Sequence, residues 1–260
     1  MNSRKHIETW TVRALRTAVL LTVFLMMSEG IMAQHSDFGV WTTVGAEKSL
    51  GEKWSVGAEG EFRTRDNSGT ADRWSFGLEG SYKIVTGLKL SAGYTLLYDN
   101  NDGEITVHED GSYNSRRPSY WGLRHRFNVS LTGSVKTGRF GISLRERWQY
   151  TYRPRKTTER YDYDNGLWED YNVRGKGHNV LRSRLKVEYD IPGCRIDPYA
   201  SAEMYNSFSL EKSRYIVGAE WKITRTHSVG LYYLYQNVNN DKDDDDTDEH
   251  VLGLSYRIKL

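Results

Sequence analysis

From Trp54 onward the chain repeats one pattern, with apolar or small residues at every second position and polar ones between them. Trp54, Val56, Ala58, Gly60 and Phe62 form one set; Ser55, Gly57, Glu59, Glu61 and Arg63 form the other. Trp74, Phe76, Leu78, Gly80, Tyr82 and Ile84 then alternate with Arg73, Ser75, Gly77, Glu79, Ser81 and Lys83. Successive side chains of a strand point to opposite faces, so each run predicts a strand with one apolar and one polar side. Eleven segments obey the rule, starting near Phe38, Trp54, Arg73, Leu88, Tyr120, Arg139, Val180, Ile196, Arg214, Ser228 and His250. The last runs Leu252, Leu254, Tyr256, Ile258, Leu260 against Gly253, Ser255, Arg257 and Lys259.

The connections sort by length. Short ones fall at Ser49–Glu52, Thr86-Gly87, Thr137-Gly138, Ile191–Arg195 and Thr224–His227. They alternate with long polar ones at Asn100–Ser119, Pro154–Gly177 and Val238–Asp248, and with intermediate ones at Asp66–Ala71 and Ser209–Lys212. That asymmetry, together with strands of about ten residues tipped by Trp and Tyr, is the pattern of membrane barrels with short periplasmic turns and long extracellular loops. A soluble sandwich also alternates, and a secreted soluble β-protein is the competing reading. Hydrocarbon tolerates no unpaired backbone groups, so a β-structure there must close on itself. The expected fold is therefore all-β, a transmembrane antiparallel β-barrel of about ten to twelve strands. Twelve is favoured because single-chain bacterial barrels usually have an even number.

Composition then narrows the setting. The first 33 residues read as a secretory signal: Arg13 and Arg16, the apolar run Ala18–Met27, and Ile31-Met32-Ala33 before Gln34. This leaves 34–260 as the barrel domain and the outer membrane as the expected location. Four of the 36 basic and two of the 34 acidic side chains lie in that leader, so the remainder carries 32 of each. A neutral chain offers nothing to nucleic-acid phosphates. The single cysteine, Cys194, makes no internal disulfide and does not sit where a lipid anchor would need it. The expected partners are outer-membrane lipids and, through the C-terminal strand, the barrel-assembly machinery; the oligomeric state stays open.

Particular strings carry a resemblance. Arg124-His125-Arg126, SLRERWQYTYRP at Ser143–Pro154, DFGVW at Asp37–Trp41, FRTRDN at Phe62–Asn67 and YYLYQN at Tyr232–Asn237 occur along the whole exported part. With them the chain resembles an uncharacterised Bacteroides-type outer-membrane barrel family, the domain of unknown function numbered 2490. The resemblance implies a barrel and carries no activity, substrate or catalytic residue.

Four constellations bear on chemistry. Placing the polar set inside puts Arg63, Arg73, Arg124, Arg126, Arg145, Arg147, Arg182, Arg184 and Arg214 in the lumen, with Glu59, Glu61, Glu79, Glu203 and Glu220, and also Lys186, Lys222 and Glu188. Such a ladder reads first as structural, charges pairing across strands to fill a small barrel. Its basic excess also suits a narrow anion-preferring channel for acidic small solutes or oligosaccharides. On the lipid side, His125, Glu146 and Ser183 share the outward register of successive strands, the residue types of a lipid hydrolase or acyl transferase. Counting from the Thr137-Gly138 turn sets Glu146 opposite Val129, too far from His125 for proton transfer. Asp241–Glu249 (DKDDDDTDE) departs from a calcium loop at its glycine position and reads as a solvated loop able to bind Ca²⁺ opportunistically. Asn165-Gly166 signals a hairpin, with Tyr161, Tyr163 and Trp168 either exposed for binding or covering the barrel mouth. No catalytic residue, metal site or cofactor is expected, and the chain is read as non-enzymatic, of unassigned function.

Overall fold

The computed structural model describes residues 36–239 and 248–260. The expected leader and most of the acidic Asp241–Glu249 run lie outside them. Eleven strands form a closed barrel: β1 (Asp37–Leu50), β2 (Trp54–Arg65), β3 (Thr70–Val85), β4 (Leu88–Asn101), β7 (Tyr120–Thr137), β8 (Phe140–Arg153), β11 (Lys176–Tyr189), β12 (Ile196–Ser207), β13 (Ser209–Lys222), β14 (His227–Val238) and β15 (Glu249–Lys259). Neighbours pair antiparallel except at the seam, where β1 and β15 run parallel through Asp37↔Glu249 to Glu47↔Lys259. The favoured twelve is thus corrected to eleven. A parallel seam is what an odd number requires, because alternation of direction fails once around the ring.

The remaining strands lie in the long connections. β5 (Glu104–Val107), β6 (Tyr113–Arg117), β9 (Lys156–Asp162) and β10 (Leu167–Val173) form a separate four-stranded sheet, ordered β10-β9-β6-β5. The Asn165-Gly166 hairpin exists, its loop is the four residues 163–166, and its strands join this second sheet. Gly166 takes a positive φ of 66°, which glycine adopts without strain. Asp162 caps the loop, accepting from the Asp164 and Asn165 amides and from the Asn165 side chain. The Asn165 hydrogen bonds hold the Asp162 carboxyl below the usual carboxylate range. A carboxyl depressed by folding contributes order above its unfolded pKa and loses it as pH falls through the folded value. Amide exchange at residues 164–166 is therefore expected to accelerate in acid beyond its intrinsic pH trend, and not in Asp162→Asn.

The outer face explains the fold. Val44, Val56, Phe76, Leu78, Leu131, Leu144, Leu185, Leu231 and Leu254 all point away from the lumen and are exposed. An apolar surface running around the whole ring needs hydrocarbon against it. Aromatic pairs mark both margins: Trp54–Tyr82 and Phe140–Tyr189 near the short turns, Phe62–Trp74 and Tyr98–Trp121 near the long connections. Amphipathic rings at both ends are what a transmembrane barrel presents to the two interfaces. The chain is a transmembrane β-barrel.

Inside, the polar set is not wholly polar. Trp41, Leu97, Leu234 and Val251 occupy inward positions and are almost completely buried, with Ile216 and Tyr232 packed on the cluster of Trp41, Leu234 and Val251. All lie in the half of the barrel next to the long connections. Gly253 makes room there: a Cβ on it would stand 1.9 Å from the Tyr232 ring. The expectation that apolar side chains face only lipid is corrected by this inner cluster.

Candidate functional site

Below the cluster, toward the short turns, the lumen holds a cavity of about 540 Å³. Trp41, Arg63, Arg126, Gln149, Arg214 and Leu234 stand at its upper end, and Glu47, Ser55, Ser81, Lys89 and Arg257 at its lower end. Of the predicted ladder, Glu59, Glu61, Arg63, Glu79, Arg126, Arg145, Arg147, Arg182, Arg184, Glu203, Arg214 and Glu220 line it. Arg73 and Arg124 lie above it, both paired with the buried Asp99, Arg124 Nε at 3.0 Å from Asp99 Oδ2. The lining carries ten basic side chains (Arg63, Lys89, Arg126, Arg145, Arg147, Arg182, Arg184, Lys186, Arg214, Arg257) and six acidic ones (Glu47, Glu59, Glu61, Glu79, Glu203, Glu220).

Strand register decides how these charges meet. β8 and β11 pair so that Arg147 faces Arg182 and Arg145 faces Arg184. On the far side of β11, Arg184 faces Glu203, which in turn faces Arg214 across β13. Glu203, 2% exposed, accepts from Arg182 at 2.6 Å and from the Tyr205 hydroxyl at 3.3 Å. It also lies 3.8 Å from Arg145 and 3.9 Å from Arg184. Arg147 donates to Ser130 Oγ at 2.7 Å and to Glu79 at 3.0 Å. The Nε–H groups of Arg145, Arg182 and Arg184 are buried with no hydrogen-bond acceptor among the described residues.

The upper end is built differently. The Arg63 guanidinium sits over the Trp41 ring, 3.7 Å from its centroid, and Arg214 lies 4.9 Å from the same ring. Arg63 also pairs with Glu61 at 2.7 Å, and Arg214 donates to Gln236 and to the Tyr205 hydroxyl, each at 2.7 Å. The Trp41 indole donates to Glu249 at 3.3 Å. Two cations thus lie over one buried indole, each held by further hydrogen bonds. Trp41, Asp99, Tyr205 and Glu249 were absent from the sequence ladder. Arg257 and Tyr232, however, sit in the inward alternation of their strands and were readable from it.

The outward trio is not assembled. Ser183 donates to Glu146 at 2.6 Å across a direct β8–β11 pair. His125 Nδ1 instead shares a hydrogen bond with the Tyr94 hydroxyl at 2.7 Å. Glu146 pairs with Leu131, not Val129, because the turn residues are Gly138 and Arg139 and Thr137 pairs with Phe140. Leu131 then lies six positions along the strand from His125, roughly 20 Å. No general-base contact spans that distance.

A closed barrel with an apolar outer belt, an inner apolar cluster and an arginine-lined cavity defines a small transmembrane barrel protein. The chain belongs to the family described as Protein of unknown function (DUF2490), whose model matches residues 38–247. No curated protein matches it. Among solved structures it is similar to the β domain of the Bordetella autotransporter BrkA, at 16% identity over 74% of this chain and 79% of that one, TM-score 0.49. It is also similar to the NanC porin, at 13% identity over 84% and 95% of the two chains, TM-score 0.42. A third is the CymD monoaromatic hydrocarbon channel, at 10% identity over 73% and 66%, TM-score 0.41.

Proposed function

We propose that this is a non-enzymatic outer-membrane barrel whose narrow lumen prefers small anionic solutes. Its apolar belt contacts outer-membrane lipid, its short turns face the periplasm, and the vestibule opens on that side. The observation that carries the reading is the vestibule wall, ten basic against six acidic side chains, with two pairs of arginines facing one another. A ring of one charge sign inside a low-dielectric wall raises the local concentration of the opposite sign. The Trp41–Arg63–Arg214 closure keeps the passage narrow, so wild-type current is expected to be small.

Planar-bilayer recording of the refolded chain across a KCl gradient tests this. The expected reversal potential has the sign of chloride selectivity, and it moves toward zero in the Arg145→Gln, Arg184→Gln double variant. Cation-selective current sinks the reading. So does silence in both the wild type and the Trp41→Ala variant.

A further inference from the structure

We propose that the arginine block on β8 and β11 is a binding site for a dianionic oxyanion, such as the phosphate group of a phosphomonoester. The inference rests on the anion-preferring reading of the lumen and names what that lumen holds. Facing residues of an antiparallel pair have Cα atoms about 4.5–5.5 Å apart, and successive inward residues of one strand are about 7 Å apart. Arg145, Arg147, Arg182 and Arg184 therefore spring from one small rectangle of the cavity wall. Like charges directly opposite each other destabilise a sheet. Here the fold carries two such pairs side by side.

Two carboxylates reach the block, Glu203 and Glu79. Within ion-pair distance four guanidiniums meet these two carboxylates, with Glu59 and Glu61 acting on Arg147 and Arg182 from farther away, so the block carries a basic excess that a dianion offsets. The hydrogen-bond inventory gives the same answer. Ser130 satisfies the Arg147 Nε–H, but those of Arg145, Arg182 and Arg184 have no acceptor among the described residues. Buried donors normally find one. A tetrahedral oxyanion offers several acceptor oxygens to forked guanidinium donors, whereas chloride brings charge without that geometry. Access is through the cavity that these residues line.

The test is titration calorimetry on the full chain refolded in detergent micelles. Inorganic phosphate, sulfate and chloride are each added at matched ionic strength. Phosphate and sulfate are expected to bind saturably at one site, and chloride to give only dilution heat. Arg145→Gln and Arg184→Gln are expected to weaken phosphate about tenfold or more, the loss of a charge-assisted hydrogen bond. Arg160→Gln, on the exposed second sheet, is expected to leave it unchanged. Each glutamine variant relieves a like-charge contact. Should one nonetheless fail to refold, Arg184→Lys retains the charge without the fork and is expected to weaken phosphate as well. Equal responses to all three salts, or phosphate affinity unchanged in the folded variants, overturn the site. Anion-selective current without saturable phosphate or sulfate binding overturns this inference alone. Saturable binding without that current overturns the channel reading alone.

Discussion

Glu203→Gln is expected to destabilise the folded barrel by about 3–5 kcal/mol, the usual effect of removing one partner from a buried ion cluster. One carboxylate holds Arg182 by a hydrogen bond and lies within ion-pair distance of Arg145 and Arg184. Glutamine preserves the volume but leaves Glu79 as the remaining carboxylate in ion-pair contact with any of the four guanidiniums. Urea unfolding in lipid vesicles, followed by tryptophan fluorescence, measures the loss. A change below about 1 kcal/mol, the range of solvent-screened pairs, would mean that water shields the vestibule wall. The arginine block would then lose its claim to be short of counter-charge.

Trp41→Ala is expected to destabilise by about 3–5 kcal/mol, as large-to-small changes of buried aromatics do, and also to raise conductance. The indole fills the lumen between Arg63 and Arg214, packs on Leu234 and Val251, and donates to Glu249. Its removal leaves space at the upper end of the cavity and two cations freed from one ring. The enlarged current is expected to keep its anion preference, because the ten basic lining residues remain. Destabilisation with a measurable wild-type current that does not rise would place the closure elsewhere, at Leu97 or in the second sheet. Trp41→Phe, which keeps a ring for Arg63, is expected to restore most of the stability and the low conductance.

Much of the barrel was legible because hydrocarbon outside and water-filled or ion-paired space inside impose a period of two. The segments marked at Trp54, Leu88, Tyr120 and Ile196 begin where β2, β4, β7 and β12 begin. What alternation does not encode is which polar-face positions carry apolar residues into a packed interior, so Trp41, Leu97 and Leu234 went unplaced. Nor does it encode pairing between strands far apart in sequence. β8 and β11 are separated by the β9–β10 hairpin, and no local signal fixes Arg147 opposite Arg182. A single residue of uncertainty in the Gly138-Arg139 turn shifted the β7–β8 pairing by two positions and misplaced Glu146. Eleven falls within the expected ten to twelve, and the preference for twelve missed for a related reason: an even count assumes an antiparallel seam, and β1 carries nothing in its sequence that forbids lying parallel to β15.

That seam has a topological consequence. An even-stranded cylinder brings both ends of its polypeptide back to one rim, whereas here β1 enters at the rim of the long connections and β15 leaves at the opposite one. Asp37 thus lies at the rim that carries the second sheet and Lys259 at the opposite one, so labels on the first and last strand residues would report opposite sides of one membrane.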